Sequence, residues 1–91
     1  MVGGSMTSRH QTGNARDIGA TDRSTPQAAV DELAVKAREV GMGASGIKTA
    51  QIEIPRRFRG QVDPPEGVKV LWIANTQPNG DPTGIHLHVD W

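Results

Sequence analysis

The chain has no cysteine and no tyrosine, a single phenylalanine, two tryptophans and no net formal charge. Without cysteine there is no disulfide, no thiolate-held metal and no cysteine nucleophile, and the redox compartment stays open. The longest apolar run, Val70 to Ala74, falls far short of the ~20 residues needed to span a bilayer. The N-terminus has neither the charged nor the apolar part of a secretory signal. Ten Lys and Arg balance ten Asp and Glu, which removes the broad basic footprint of a typical nucleic-acid domain. Ninety-one residues cannot encode a doubly wound nucleotide fold or a (β/α)₈ barrel. The sequence also lacks G-x-x-x-x-G-K-[ST], H-E-x-x-H, G-x-S-x-G and an EF-hand loop, so no catalytic residue is assigned. These absences favour a small, soluble, cytoplasmic binding protein over an enzyme.

What is present divides into two parts. Residues 1–25 hold only Met1, Val2, Met6, Ala15, Ile18 and Ala20 as hydrophobic residues, too few to offset the entropy of ordering, so a disordered tail is expected, with residues 1–5 resembling an added leader. Residues 26–91 form a single small domain. It opens on a helix start: Ser24 or Thr25 as cap, Pro26 in the first turn, and Gln27 three residues after Ser24 in the manner of a capping box. Val30, Leu33, Ala34, Ala37 and Val40 then fall on one stripe, with Glu32 and Lys36 as an i,i+4 pair on the other side. Gly41, Gly43 and Gly46 place the helix end near Val40.

Three strand patterns follow. Ile47 to Ile54 alternates, with Ala50, Ile52 and Ile54 on one side. Val68 to Asn75 is apolar on both sides, the pattern of a central strand. Ile85 to Trp91 alternates Ile85, Leu87, Val89 and Trp91 against His86, His88 and Asp90, with the Trp91 ring expected in the core. Gln77 to Gly84 is turn chemistry and predicts an antiparallel hairpin between the last two strands. The expected fold is α+β: one N-terminal helix on a three-stranded antiparallel sheet. That order of elements resembles the first four elements of the double-stranded-RNA-binding domain, without its closing helix and with none of its motif residues.

One helix covers one sheet face, so the middle strand leaves either Leu71 and Ile73 or Val70 and Trp72 on the other. Such a patch on a small domain is an interaction surface, satisfied by stacking two copies or by joining edge strands, unless the N-terminal tail or the 55–67 loop folds back over it. A homodimer or a protein partner is the expectation. Arg56, Arg57, Phe58 and Arg59 add a basic-aromatic loop suited to an acidic protein surface or to a nucleic acid, with the structural alternatives of a salt bridge to Asp63 and Glu66 in the same loop or of Phe58 plugging the core. Leu71, Trp72 and Ile73 complete the expected partner surface.

His86, His88 and Asp90 alternate along one strand, so both imidazoles and the carboxylate share a face and could reach one zinc ion. The string resembles five residues of the metallo-β-lactamase ligand pattern H-x-H-x-D-H, with Trp91 in place of its last histidine. Functional or adventitious zinc there is the one cofactor considered; otherwise none is expected.

Overall fold

The computed structural model describes residues 14–43, 46–75 and 83–91. In chain order they form β1 (Ala15–Gly19), α1 (Pro26–Gly43), β2 (Thr49–Pro55), a 3₁₀ turn (Arg56–Phe58), β3 (Lys69–Ile73) and β4 (His86–Asp90). Among the described residues no helix is long and apolar enough to cross a membrane.

The cap of α1 is set by nearby residues. The Ala28 N–H donates to Thr25 Oγ1 at 3.0 Å and the Ala29 N–H donates to the Thr25 carbonyl, so Thr25 is the cap and Pro26 the first helical residue. Ser24 turns away, with its N–H and hydroxyl both donating to Asp22 Oδ1. Gln27 does not close a capping box. Its amide accepts from the Asp63 N–H at 2.7 Å and donates back to the Asp63 carbonyl at 3.2 Å, tying the β2–β3 connection to the helix. The helix runs on to Gly43, past the expected end near Val40, since a terminal glycine costs only about 1 kcal/mol.

Val30, Leu33, Ala34 and Ala37 on α1 bury the expected stripe against Ile52 and Ile54 of β2 and Leu87 and Val89 of β4, with Ile85 just before β4. The β2–β3 connection closes one end of this core. Val62 is buried, Phe58 and Val68 pack against the cluster, and Arg38 Nη2 donates to the Glu66 carbonyl at 2.9 Å. The loop therefore lies beside the helix, not over the opposite sheet face.

The class is α+β, but the sheet differs from the expected three-stranded antiparallel meander. It has four strands in the order β1-β4-β2-β3, with β1·β4 and β4·β2 antiparallel and β2·β3 parallel. The extra strand, β1, comes from residues expected in the disordered tail. β3 is an edge, not the centre, and β4 is central instead of terminal. No β3–β4 hairpin forms among the described residues, because β2 lies between them; residues 76–82 of the predicted turn lie outside the described set. The likeness to the double-stranded-RNA-binding meander ends with this strand order.

The order has an electrostatic consequence. Register places Asp17 of β1 and Gln51 of β2 on either side of His88, and Glu53 of β2 beside His86. In the place of β2 and at the same register, β3 would set Lys69 and Leu71 where Gln51 and Glu53 stand, and His86 would lose its carboxylate partner. The 13-residue path from Arg56 to Val68 is long enough for a parallel connection.

Candidate functional site

Two surfaces gather the candidate residues: the sheet face opposite α1, and the edge formed by β3.

On the open face, β4 supplies His86, His88 and Asp90, β2 supplies Gln51 and Glu53, and β1 supplies Asp17. Alternation along three adjacent strands brings all six to one side. His86 is only 4 % exposed. Its Nδ1 lies 3.0 Å from the Gly84 carbonyl oxygen and its Nε2 lies 2.9 Å from Glu53 Oε1. Both nitrogens thus face oxygens, which the doubly protonated ring satisfies by donating twice. Gly84 sits at φ 83°, a left-handed conformation that glycine adopts without a Cβ penalty, immediately before the strand it leads into.

The two partners shift each other. Burial by itself lowers the His86 pKa. The hydrogen bonds to Glu53 and Gly84 and the charges of Asp17 and Glu53 outweigh it, so the net direction is upward from 6.5. The His86 hydrogen bond holds Glu53 below its ordinary 4.5 against the opposing effect of burial, with Gln51 Nε2 donating to Glu53 Oε2 at 2.7 Å in support. Beside this pair, His88 Nδ1 lies 3.2 Å from Asp17 Oδ1 and its Nε2 lies 3.2 Å from Asp90 Oδ2.

The expected zinc ligands are therefore brought to one face, but their ring nitrogens point at separate oxygens and not at a common centre. Among the described residues no group of three or more His, Asp or Glu is arranged to hold a metal ion. The arrangement can hold protons and bind β1, β4 and β2 together. Its imidazoles and carboxylates are engaged with one another. Thr49, the hydroxyl nearest in register, pairs with Asp90 at the end of the strand.

The β3 edge is different in kind. β3 pairs with β2 from Gln51↔Lys69 to Pro55↔Ile73, and among the described strands it has no second neighbour. Val70 and Trp72 point to the α1 side and pack against the core, whereas Leu71, 43 % exposed, and Ile73 lie on the open face. The helix covers β2 and β4 and stops short of β3. The gap is an open groove of about 390 Å³ between Ala37, Arg38 and Gly41 of the helix and Val68 and Lys69 at the start of the edge.

The basic-aromatic loop is partly consumed by the fold. The Arg57 guanidinium lies 4.5 Å from the centre of the Phe58 ring and its Nη2 donates to the Thr83 carbonyl at 2.6 Å. The Arg57 N–H donates to Asn75 Oδ1 at 2.7 Å, which joins the 3₁₀ turn to the end of β3. Arg59 stands over Trp72 at 5.4 Å. Arg56 is exposed on the turn. Phe58 plugs the core end, as one reading of the sequence had it. Trp91 is 41 % exposed instead of buried, its N–H donating to the Asn14 carbonyl beyond the end of β1.

Sequence reading missed one pattern and one group. Gly41-Met42-Gly43-Ala44-Ser45-Gly46 has the G-x-G-x-x-G spacing, but Gly41 and Gly43 lie in the last turn of α1. A phosphate is held where a strand leads into a helix N-terminus, and carbonyls at a C-terminus repel it. The missed group is Glu53, whose role becomes visible only once β2 is known to adjoin β4. No known family model, curated protein or solved structure matches the chain.

Proposed function

We propose that the protein is a small binding module that takes an extended segment of a protein partner onto the β3 edge, with alternate partner side chains entering the groove beside α1. The observation that carries this reading is the β3 edge itself: Lys69-Val70-Leu71-Trp72-Ile73, β-branched and aromatic, with exposed Leu71 and a groove at its start between Val68, Lys69 and the helix. Natural edge strands are usually blunted by proline, an inward charge or a bulge. β3 has only Lys69 at its start. Strand addition gives affinity through main-chain hydrogen bonds and specificity through pockets for alternate side chains, and the edge with its groove supplies both.

The nucleic-acid reading of Arg56, Arg57, Phe58 and Arg59 is the weaker one, because Arg57 is spent on Phe58 and Thr83 and Arg59 on Trp72. The test is selection from an array of short peptides by the full chain, alongside binding to a single-stranded oligonucleotide. Extended peptides with alternating apolar residues are the expected ligands of the wild type, and Leu71→Lys is expected to lose them. Selection of no peptide, or peptide binding indifferent to Leu71→Lys, overturns the reading. Oligonucleotide binding that weakens steeply with salt would replace it.

A further inference from the structure

Resting on the reading of β3 as a docking edge, we propose that its occupant in the free protein is the β3 edge of a second copy, paired antiparallel about a two-fold axis through Leu71 into a continuous eight-stranded sheet.

Two-fold pairing of identical strands allows few registers. Only the one centred on Leu71 pairs all five residues of both strands. It sets Leu71 against its equivalent, Val70 against Trp72 of the other copy, and Lys69 against Ile73 of the other copy. Each set is compatible in chemistry. Leu71 loses its exposure to an identical apolar side chain, Val70 and Trp72 form an aromatic to β-branched pair, and Lys69 is held away from its own equivalent. A slip that centred the axis on Lys69 would oppose two ammonium groups.

The α1 side fits as well. A two-fold axis perpendicular to the sheet keeps both helices on the same face, so the incoming Trp72 lies beside Val70 and diagonally from Val68, at the mouth of the groove lined by Val68 and Ala37. The alternative docking modes are poorer. Stacking the two faces opposite α1 would desolvate Asp17, whose side chain is 38 % exposed, with no new partner offered by the strand register. Pairing β1 with itself about its middle residue would set Asp17 against Asp17. β3 is the edge whose self-pairing opposes no like charges.

The experiment is sedimentation equilibrium of the full chain at low salt, with the charge at position 73 as the probe of register. Wild type is expected to dimerise. Two-fold symmetry counts each Lys69 to residue 73 pair twice, so Ile73→Glu should dimerise at least about tenfold more tightly than Ile73→Lys. Lys69→Glu combined with Ile73→Lys should recover the tight dimer. Hydrogen exchange of wild-type amides 69–73 needs no variant, and their protection should rise with protein concentration. A dimer equally strong in Ile73→Glu and Ile73→Lys overturns the register. A monomer at concentrations well above the micromolar range, with exchange at 69–73 independent of concentration, overturns self-pairing. If that monomer still selects extended peptides through Leu71, the docking edge stands and only its occupant was wrong; if it selects none, both readings fall.

Discussion

Glu53 and His86 show how two side chains settle the position of a strand. Each is costly to bury alone, and together they satisfy one another across the β2–β4 ladder at 2.9 Å. The two shifts have opposite pH signatures. Glu53, held below its ordinary 4.5, contributes stability that is complete above that value and is lost as pH falls through its lowered pKa. His86, raised above 6.5, contributes stability that is complete below 6.5 and is lost as pH rises through its raised pKa. The pair is therefore at full strength between pH 4.5 and 6.5. Thermal unfolding followed by circular dichroism from about pH 4 to 9 should show the midpoint falling above 6.5, and Glu53→Gln should flatten that alkaline limb. An alkaline limb unchanged by Glu53→Gln would show that the pair does not couple the strands.

At the scale of the element, α1 separates what a short stretch of sequence decides from what the whole sheet decides. Two hydroxyls stand before Pro26, and only Thr25 caps the helix, while Ser24 serves Asp22. Thr25→Ala should cost about 0.5–2 kcal/mol in urea unfolding, whereas Ser24→Ala should stay within about 0.5 kcal/mol; equal losses would refute the assignment. The helix stripe, the Ile52 and Ile54 face and the Ile85, Leu87 and Val89 face were legible because each depends on the period of one element. Strand order was not, because it depends on partners distant in sequence. Gln77 to Gly84 carries strong turn chemistry, yet a turn sequence cannot exclude a third strand from entering between the two it joins. β1 was hidden for a related reason: Ala-Arg-Asp-Ile-Gly has one large apolar residue, and its value lies in what β4 offers it. The site was legible in the same proportion. Period two put His86, His88 and Asp90 on one face, and the Arg56 to Arg59 turn and Leu71 stand at the surface. Nothing in the sequence alone indicated that Arg57 and Arg59 would be held by Phe58, Thr83 and Trp72.

For the whole molecule the decisive element is β1, the edge strand on the side of the sheet away from the proposed docking edge. It pairs all five of its residues with β4, brings Asp17 to His88, and adds Ile18 and Ala20 to the core. The chain that follows is clamped to the helix by Glu32, whose carboxylate accepts the Thr21 and Asp22 N–H groups at 2.8–3.1 Å and the Thr21 hydroxyl at 2.9 Å. Those hydrogen bonds hold Glu32 below its usual pKa. Without β1, β4 would become an edge, exposing Leu87 and leaving the His88 contact to Asp17 unmade. A chain beginning at Asn14 and one beginning at Thr21 differ by that strand and its two flanking residues, Asn14, which accepts the Trp91 N–H, and the buried Ala20. The shorter should melt at least about 10 °C lower, the shift expected when a domain of this size loses 2 kcal/mol or so. It should also associate in a new way, since β4 would replace β1 as the edge opposite β3. Thermal unfolding with light scattering measures both effects. Equal midpoints for the two chains would mean that β1 is carried by the sheet without supporting it.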